Sequence, residues 1–267
     1  MDEIKLATKA VPSEETINAA EAVENISNAL GLLGSIISEL VNVDTVKNVI
    51  SGALHYFAEK IEKYFDEKTK CYEKWGSLGW SFSPSMNFEM FETNINSQNE
   101  ANEMMKHFVK RREINKIVVS LKHAGVDKEE ILEAKKCYNK KNYKACVLLL
   151  FGIIENKLIS YNFKTVKWNK ECIASGQNAL KQFKEKCDNV GSHRYANMLV
   201  AIITAALKMF EYGDDFKADM TIINRNYLAH GMSKRNISKL ECFQVWCLSY
   251  SIGEEPIVIS ETSDSFT

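Results

Sequence analysis

Hydrophobic positions along this 267-residue chain recur at helical rather than strand spacing over most of its length. Ser13, after Pro12 and before Glu14 and Glu15, predicts an N-cap with carboxylates at the positive end of a helix from about 14 to 41. Val23, Ile26, Leu30, Leu33, Ile37 and Leu40 give that helix a heptad seam, which Gly31 and Gly34 weaken. Asp44 is placed to cap a second helix whose face of Val46, Ile50, Leu54, Phe57, Ile61 and Tyr64 continues to about Cys71. Together they predict an N-terminal helical hairpin over 1–75. Its stripes are expected to pack against each other and the main domain, with a partner chain as the alternative occupant.

Gly76, Gly79, Pro84 and clustered Ser and Asn interrupt the period over 76–100, which reads as an ordered loop or domain junction. Trp75, Trp80, Phe82, Phe88 and Phe91 are expected to hold it onto the adjacent domain; stacking on unpaired bases is the rival role. A helical domain then spans 101–250. It opens with one basic helix over about 102–123, in which Phe108, Ile114, Ile117, Val118 and Leu121 form the apolar stripe. Ile131, Leu132, Lys135 and Tyr138 mark another helix, and Asn139 to Asn142 a polar break. The next helix, from about Tyr143 to Ser160, is apolar all round between Ala145 and Ile154, as the centre of a bundle must be. Residues 162–193 are mixed, with short helical patterns around Leu180 and Phe183. A strongly apolar helix follows from Tyr195 to Phe210, and a closing helix carries Leu240, Phe243, Val245, Trp246 and Tyr250 behind a Ser238/Glu241 capping box. The predicted fold class is all-α: a helical bundle behind an N-terminal hairpin, ending in a tail over 251–267.

Composition agrees with helices, since 12 glycines and 3 prolines leave few positions for the turns of a many-stranded fold. Charge adds something the periodicity does not show. Residues 1–100 carry 8 basic and 16 acidic side chains, residues 101–250 carry 26 basic and 15 acidic, and the tail adds 4 acidic groups. A cationic domain between anionic flanks points to a polyanion, a nucleic acid, as its partner, against the alternative of a solvated lysine-rich surface. Lys110, Arg111, Arg112, Lys116, Lys234 and Arg235 are the cations expected to meet phosphates. Seven cysteines without a C-x-x-C pair read as reduced, mostly buried thiols. No signal-like N-terminus and no apolar run longer than Ala145 to Ile154 is present, so a cytoplasmic protein without a membrane span is expected. His55, His107, His123 and His193 lack partners at metal-ligand spacing, and no metal or cofactor is expected. Phosphate-cradling, dinucleotide-binding and nucleophile-elbow motifs are missing, which removes support for those enzyme classes.

Two side chains remain to be placed. Glu155 lies among Ile153, Ile154, Leu158 and Ile159 and needs a cation or an exit to solvent. In Ile222–Gly231, Arg225 and His230 bracket four residues. A helix over 220–230 would put Asn226 and His230 on one face, with Gly231 as its left-handed cap. An arginine fork beside an imidazole suits phosphodiester chemistry: the 2′-hydroxyl of RNA attacks its own phosphate, histidine moves protons, and arginine stabilises the developing charge. The alternative is that the two residues simply cap and charge a helix end.

Arg225-Asn226-Tyr227-Leu228-Ala229-His230 resembles the R-N-x-x-x-H form of the motif of HEPN domains, and the trailing Gly231 is similar to members from phage-defence and abortive-infection systems. The likeness covers about 101–250. It implies an all-α bundle and a homodimer in which two motif copies form one composite metal-independent endoribonuclease site; the expected role is a toxin or antiviral effector, with a restraining partner protein of unspecified identity as a candidate. By the same resemblance Arg225 binds the scissile phosphate, His230 is the acid or base, Asn226 orients the pair, and Glu155 supports it. A non-catalytic HEPN-like module that binds RNA or protein is the alternative.

Overall fold

The computed structural model describes residues 55, 56, 60, 63, 66–165, 176–187, 193–212 and 220–264. Among them every regular element is helical. Internal contacts divide the chain into Met1–Glu62 and Lys63–Thr267. Of the first unit, residues 55, 56 and 60 are described; they are helical, and Lys60 Nζ lies 5.5 Å from the Tyr56 ring centroid. Apart from these and residue 63, which is also helical, the expected hairpin lies outside the described residues up to 65.

The second unit opens with α1 (66–77), which runs past the end expected near Cys71. A connection containing a 3₁₀ turn, Phe88–Glu92, leads to α2 (Gln98–Lys106), α3 (Arg111–His123), α4 (Lys128–Asn139) and α5 (Tyr143–Thr165). Then come α6 (Gln177–Cys187), α7 (His193–Met209), the single turn α8 (Arg225–Ala229) and α9 (Lys239–Asp264). α5 lies at the centre, packed most extensively against α9 and α4, while α9 also packs against α3 and α7. Val147, Leu150, Phe151, Ile154 and Leu158 of α5 meet a core that includes Phe243, Trp246 and Leu248 of α9. α9 continues beyond 250 to Asp264, with Ser251, Ile252 and Gly253 still buried, so helical packing extends into the segment read as a tail.

The aromatic segment belongs to this core. Trp75, Trp80, Phe82 and Phe91 are at most 2% exposed, which removes them as platforms for bases. Phe82 and Phe91 lie 4.2 Å apart, and Trp75 and Phe91 5.0 Å. Both indoles are satisfied as burial requires: Trp75 Nε1 donates to Thr93 O and Trp80 Nε1 to Asn102 Oδ1. α1 and α7 cross so closely that a Cβ on Gly76 would stand 2.5 Å from the Ala201 carbonyl oxygen.

The single basic helix expected over 102–123 is two helices. Ser97 starts the first one early, its hydroxyl accepting from the Glu100 N–H. The chain then turns at 107–110, where the half-buried Phe108 and Val109 pack onto the core and Lys110 is extended (φ −117°, ψ 150°). The bend turns two neighbouring apolar side chains onto the core, and that burial offsets the helical bonds given up there. In α3 the carboxylate of Glu113 is buried, with Oε1 accepting from Ser83 Oγ at 2.7 Å and from the Ser85 N–H at 2.8 Å.

Candidate functional site

The motif is built on one turn of helix rather than on the expected 220–230 helix. Asn224 ends the helix in the N-terminal direction: its backbone is extended, and Oδ1 accepts from the N–H groups of Asn226 (2.9 Å) and Tyr227 (3.2 Å). Its Nδ2 donates to Glu211 O, tying the cap to the chain just beyond α7. Residues 220–224 are therefore non-helical, with a bend at 221–222 and an extended Asn224, and only Arg225–Ala229 is helical. At the other end Gly231 takes φ 69°, as its role of left-handed cap requires. The Met232 N–H reaches Tyr227 O and the Gly231 N–H reaches Leu228 O, the two bonds of a Schellman closure.

Glu155 and Arg225, 70 residues apart in sequence, form an ion pair. Arg225 Nη2 donates to Glu155 Oε2 at 2.8 Å, with side-chain exposures of 29% and 18%. Arg225 Nη1 donates to Asn226 Oδ1 at 3.2 Å, while Asn226 Nδ2 is anchored on the carbonyls of Phe210 and Glu211. The guanidinium is thus braced from two sides. It carries five N–H groups, so donors beyond these two bonds remain for a ligand at its partly exposed face. The Asn226 side chain serves the arginine, and its backbone carbonyl accepts from the His230 N–H at 3.0 Å. His230 is exposed and closes the turn that Arg225 opens.

Two further lysines, unread in the sequence, fix the surroundings. Lys144 Nζ donates to Ser233 O at 2.8 Å and Lys239 Nζ to Val109 O at 3.2 Å. Arg225 on Glu155 and Ser233 on Lys144 make the 225–233 segment run antiparallel along α5. Of the cations expected to meet phosphates, Lys110, Arg111, Arg112, Lys116 and Lys234 are exposed, and Lys116 Nζ donates to Ser85 Oγ at 2.5 Å. Arg235 is held by Glu241 at 2.6 Å, and Glu241 also completes the capping box, accepting from the Ser238 N–H at 2.8 Å. A groove of about 650 Å³ runs along α7, lined by Leu199, Ile203 and Leu207, with Glu211 among its residues. Among the described residues no helix is long and apolar enough to cross a membrane.

No family model, curated protein or solved structure matches the chain.

Proposed function

We propose that the protein is a metal-independent endoribonuclease that cleaves RNA by 2′-hydroxyl attack, acting in the cytoplasm as a toxin or antiviral defence effector. The observation that carries the reading is the braced Arg225: a half-buried carboxylate and an amide hold the guanidinium on the same single turn of helix that the exposed His230 closes. Pre-positioned donors stabilise charge that develops on a phosphate without reorganising during the reaction. His230 moves the protons, Arg225 takes the scissile phosphate, and Asn226 and Glu155 position Arg225. Arg225 and His230 leave the turn about 140° apart around its axis and about 7–8 Å apart along it. That divergence supports a composite site in which the Arg225 of one copy faces the His230 of a second. A partner protein restrains the activity in the host.

Purified full-length protein should cut RNA in EDTA, leave 2′,3′-cyclic phosphate ends and spare DNA. Arg225→Ala and His230→Ala should each lower the rate about 100-fold or more while leaving the melting temperature within a few degrees. The second reading, a binding module, rests on the neutralisation of Arg225 by Glu155. It would prevail if wild-type protein bound RNA without cutting it and the same substitutions weakened only the complex.

A further inference from the structure

The groove along α7 ends at the Arg225 brace, and two separate contacts place it there. α6 packs on both α5 and α7. A Cβ on Gly176, the residue before α6, would stand 3.7 Å from Glu155 Oε1, so the start of α6 lies against the carboxylate that holds Arg225. The next residue, Gln177, lines the groove. On the α7 side the link is Glu211. Its carbonyl accepts from Asn224 Nδ2 and from Asn226 Nδ2, and the residue lines the same groove. Its half-exposed carboxylate meets Lys208 Nζ at 3.4 Å. The buried Leu199 and Ile203 and the half-buried Leu207 make an apolar floor. The exposed Lys184 stands at the rim, two turns and about 10 Å from Gln177 along α6. A volume of about 650 Å³ is in the range of sites that hold one small ligand or one nucleotide.

We propose that this groove is a base subsite for single-stranded RNA: with a phosphate on Arg225, the neighbouring nucleoside lies on the floor of Leu199, Ile203 and Leu207, and a base that carries an amino group is taken in preference to uracil. The inference rests on the reading of Arg225 as a phosphate ligand. An apolar floor takes the flat face of any base, so the edge has to discriminate. The Gln177 amide offers donors and an acceptor, and the Glu211 carboxylate offers acceptors alone. Adenine, cytosine and guanine present an exocyclic amine to such acceptors. Uracil presents one N–H between two carbonyl oxygens, and those oxygens meet a carboxylate unfavourably. Glu73, also at the groove, and Glu211 repel phosphates from the wall they occupy, which leaves Lys184 to take the phosphate beyond the base.

The test titrates full-length protein against fluorescent oligo-A, oligo-C and oligo-U whose 2′-hydroxyls are methylated, so that none can be cut, and reads anisotropy. Wild type should bind oligo-A and oligo-C about tenfold more tightly than oligo-U. Glu211→Gln and Gln177→Ala should each shrink that ratio to about threefold or less. Lys184→Ala should weaken all three and lower the slope of log affinity against log salt by about 0.7. Val200→Trp, which fills the groove, should weaken all three about tenfold; if it does not fold, the Gln177, Lys184 and Glu211 variants, at half-buried or exposed positions, decide the matter. Equal affinity of wild type for the three RNAs, or an unchanged ratio in both Glu211→Gln and Gln177→Ala, would overturn the subsite. So would a folded Val200→Trp that binds RNA normally but changes the mass of the protein in light scattering, which would make the groove a protein-docking face. Cleavage of ordinary RNA is scored separately. Base preference in binding without any cleavage would keep the subsite and end the nuclease reading, whereas cleavage that ignores the base and the groove variants would do the reverse.

Discussion

The α5–α9 pair and the 224–238 segment are held by different forces. In α9, Cys242, Phe243, Val245, Trp246, Cys247 and Leu248 are fully buried, and α5 answers with Val147, Leu150, Ile154 and Leu158. The 224–238 segment has a five-residue helix and buries chiefly Tyr227, Leu228 and Ile237, and its shape is set by individual hydrogen bonds: the Asn224 cap, the Schellman closure at Gly231 and the Lys144 tie to Ser233. Such a helix is too short to persist on its own propensity. The candidate site is thus a polar assembly clamped onto an apolar scaffold, and the two should fail in different ways when perturbed.

The largest effect belongs to the scaffold. Phe243→Ala should cost about 3–5 kcal/mol, seen as a fall in the denaturant midpoint with the site lost only on global unfolding. The clamp should give smaller, local effects. Asn224→Ala removes both cap bonds and the tie to Glu211 O, and should cost about 1–2 kcal/mol. Hydrogen exchange should speed up at residues 225–229 while α5 and α9 keep their protection. Equal acceleration in all three would erase the contrast between the regions.

The scaffold also has its own pH dependence. Burial raises the thiols of Cys242 and Cys247 and the hydroxyl of Tyr138. A group held protonated in the folded state favours folding fully below its unfolded pKa, and that contribution fades as pH rises toward the folded value. Stability should therefore fall from about pH 8.5 upward, where unfolded thiols begin to ionise, and continue to fall near pH 10 as unfolded tyrosine does. Thermal melts from pH 7 to 11 measure this; a constant melting temperature across that range would contradict it.

What could be read from the sequence follows the same division. The all-round apolar run of α5, the closing helix and the Ser238/Glu241 box are local signals, and the structure has all three. Glu155 announced its need for a partner, but the identity of Arg225 depends on how α8 docks on α5, which no spacing encodes. The break between α2 and α3 was hidden because helical period continues through it, and the burial of Phe108 and Val109 is tertiary. Glu113 was missed although a local signal existed: it stands four residues before Ile117 and eight before Leu121, on the buried face. Asn224 was likewise legible as a cap, had the helix been started one residue after it.

Helix closure offers the finest comparison. α3, α4 and α8 end in the same pair of backbone bonds; at α4 the Asn142 N–H reaches Cys137 O and the Lys141 N–H reaches Tyr138 O. The residue that must turn left-handed is Gly231 after α8 and Lys141 after α4, with φ 69° and 61°. A lysine Cβ there crowds the backbone, whereas glycine has none. Gly231→Ala should therefore destabilise by about 1 kcal/mol, and since a Cβ there would meet nothing within 4 Å, backbone strain is its whole cause. Lys141→Gly should do the reverse and stabilise by about 0.5–1 kcal/mol, less the entropy that glycine adds to the unfolded chain. Opposite signs in two denaturant titrations would establish backbone strain as the common variable. If Lys141→Gly destabilises, the exposed lysine contributes something beyond conformation at the turn between α4 and α5, and the strain account fails there while it can still hold at Gly231.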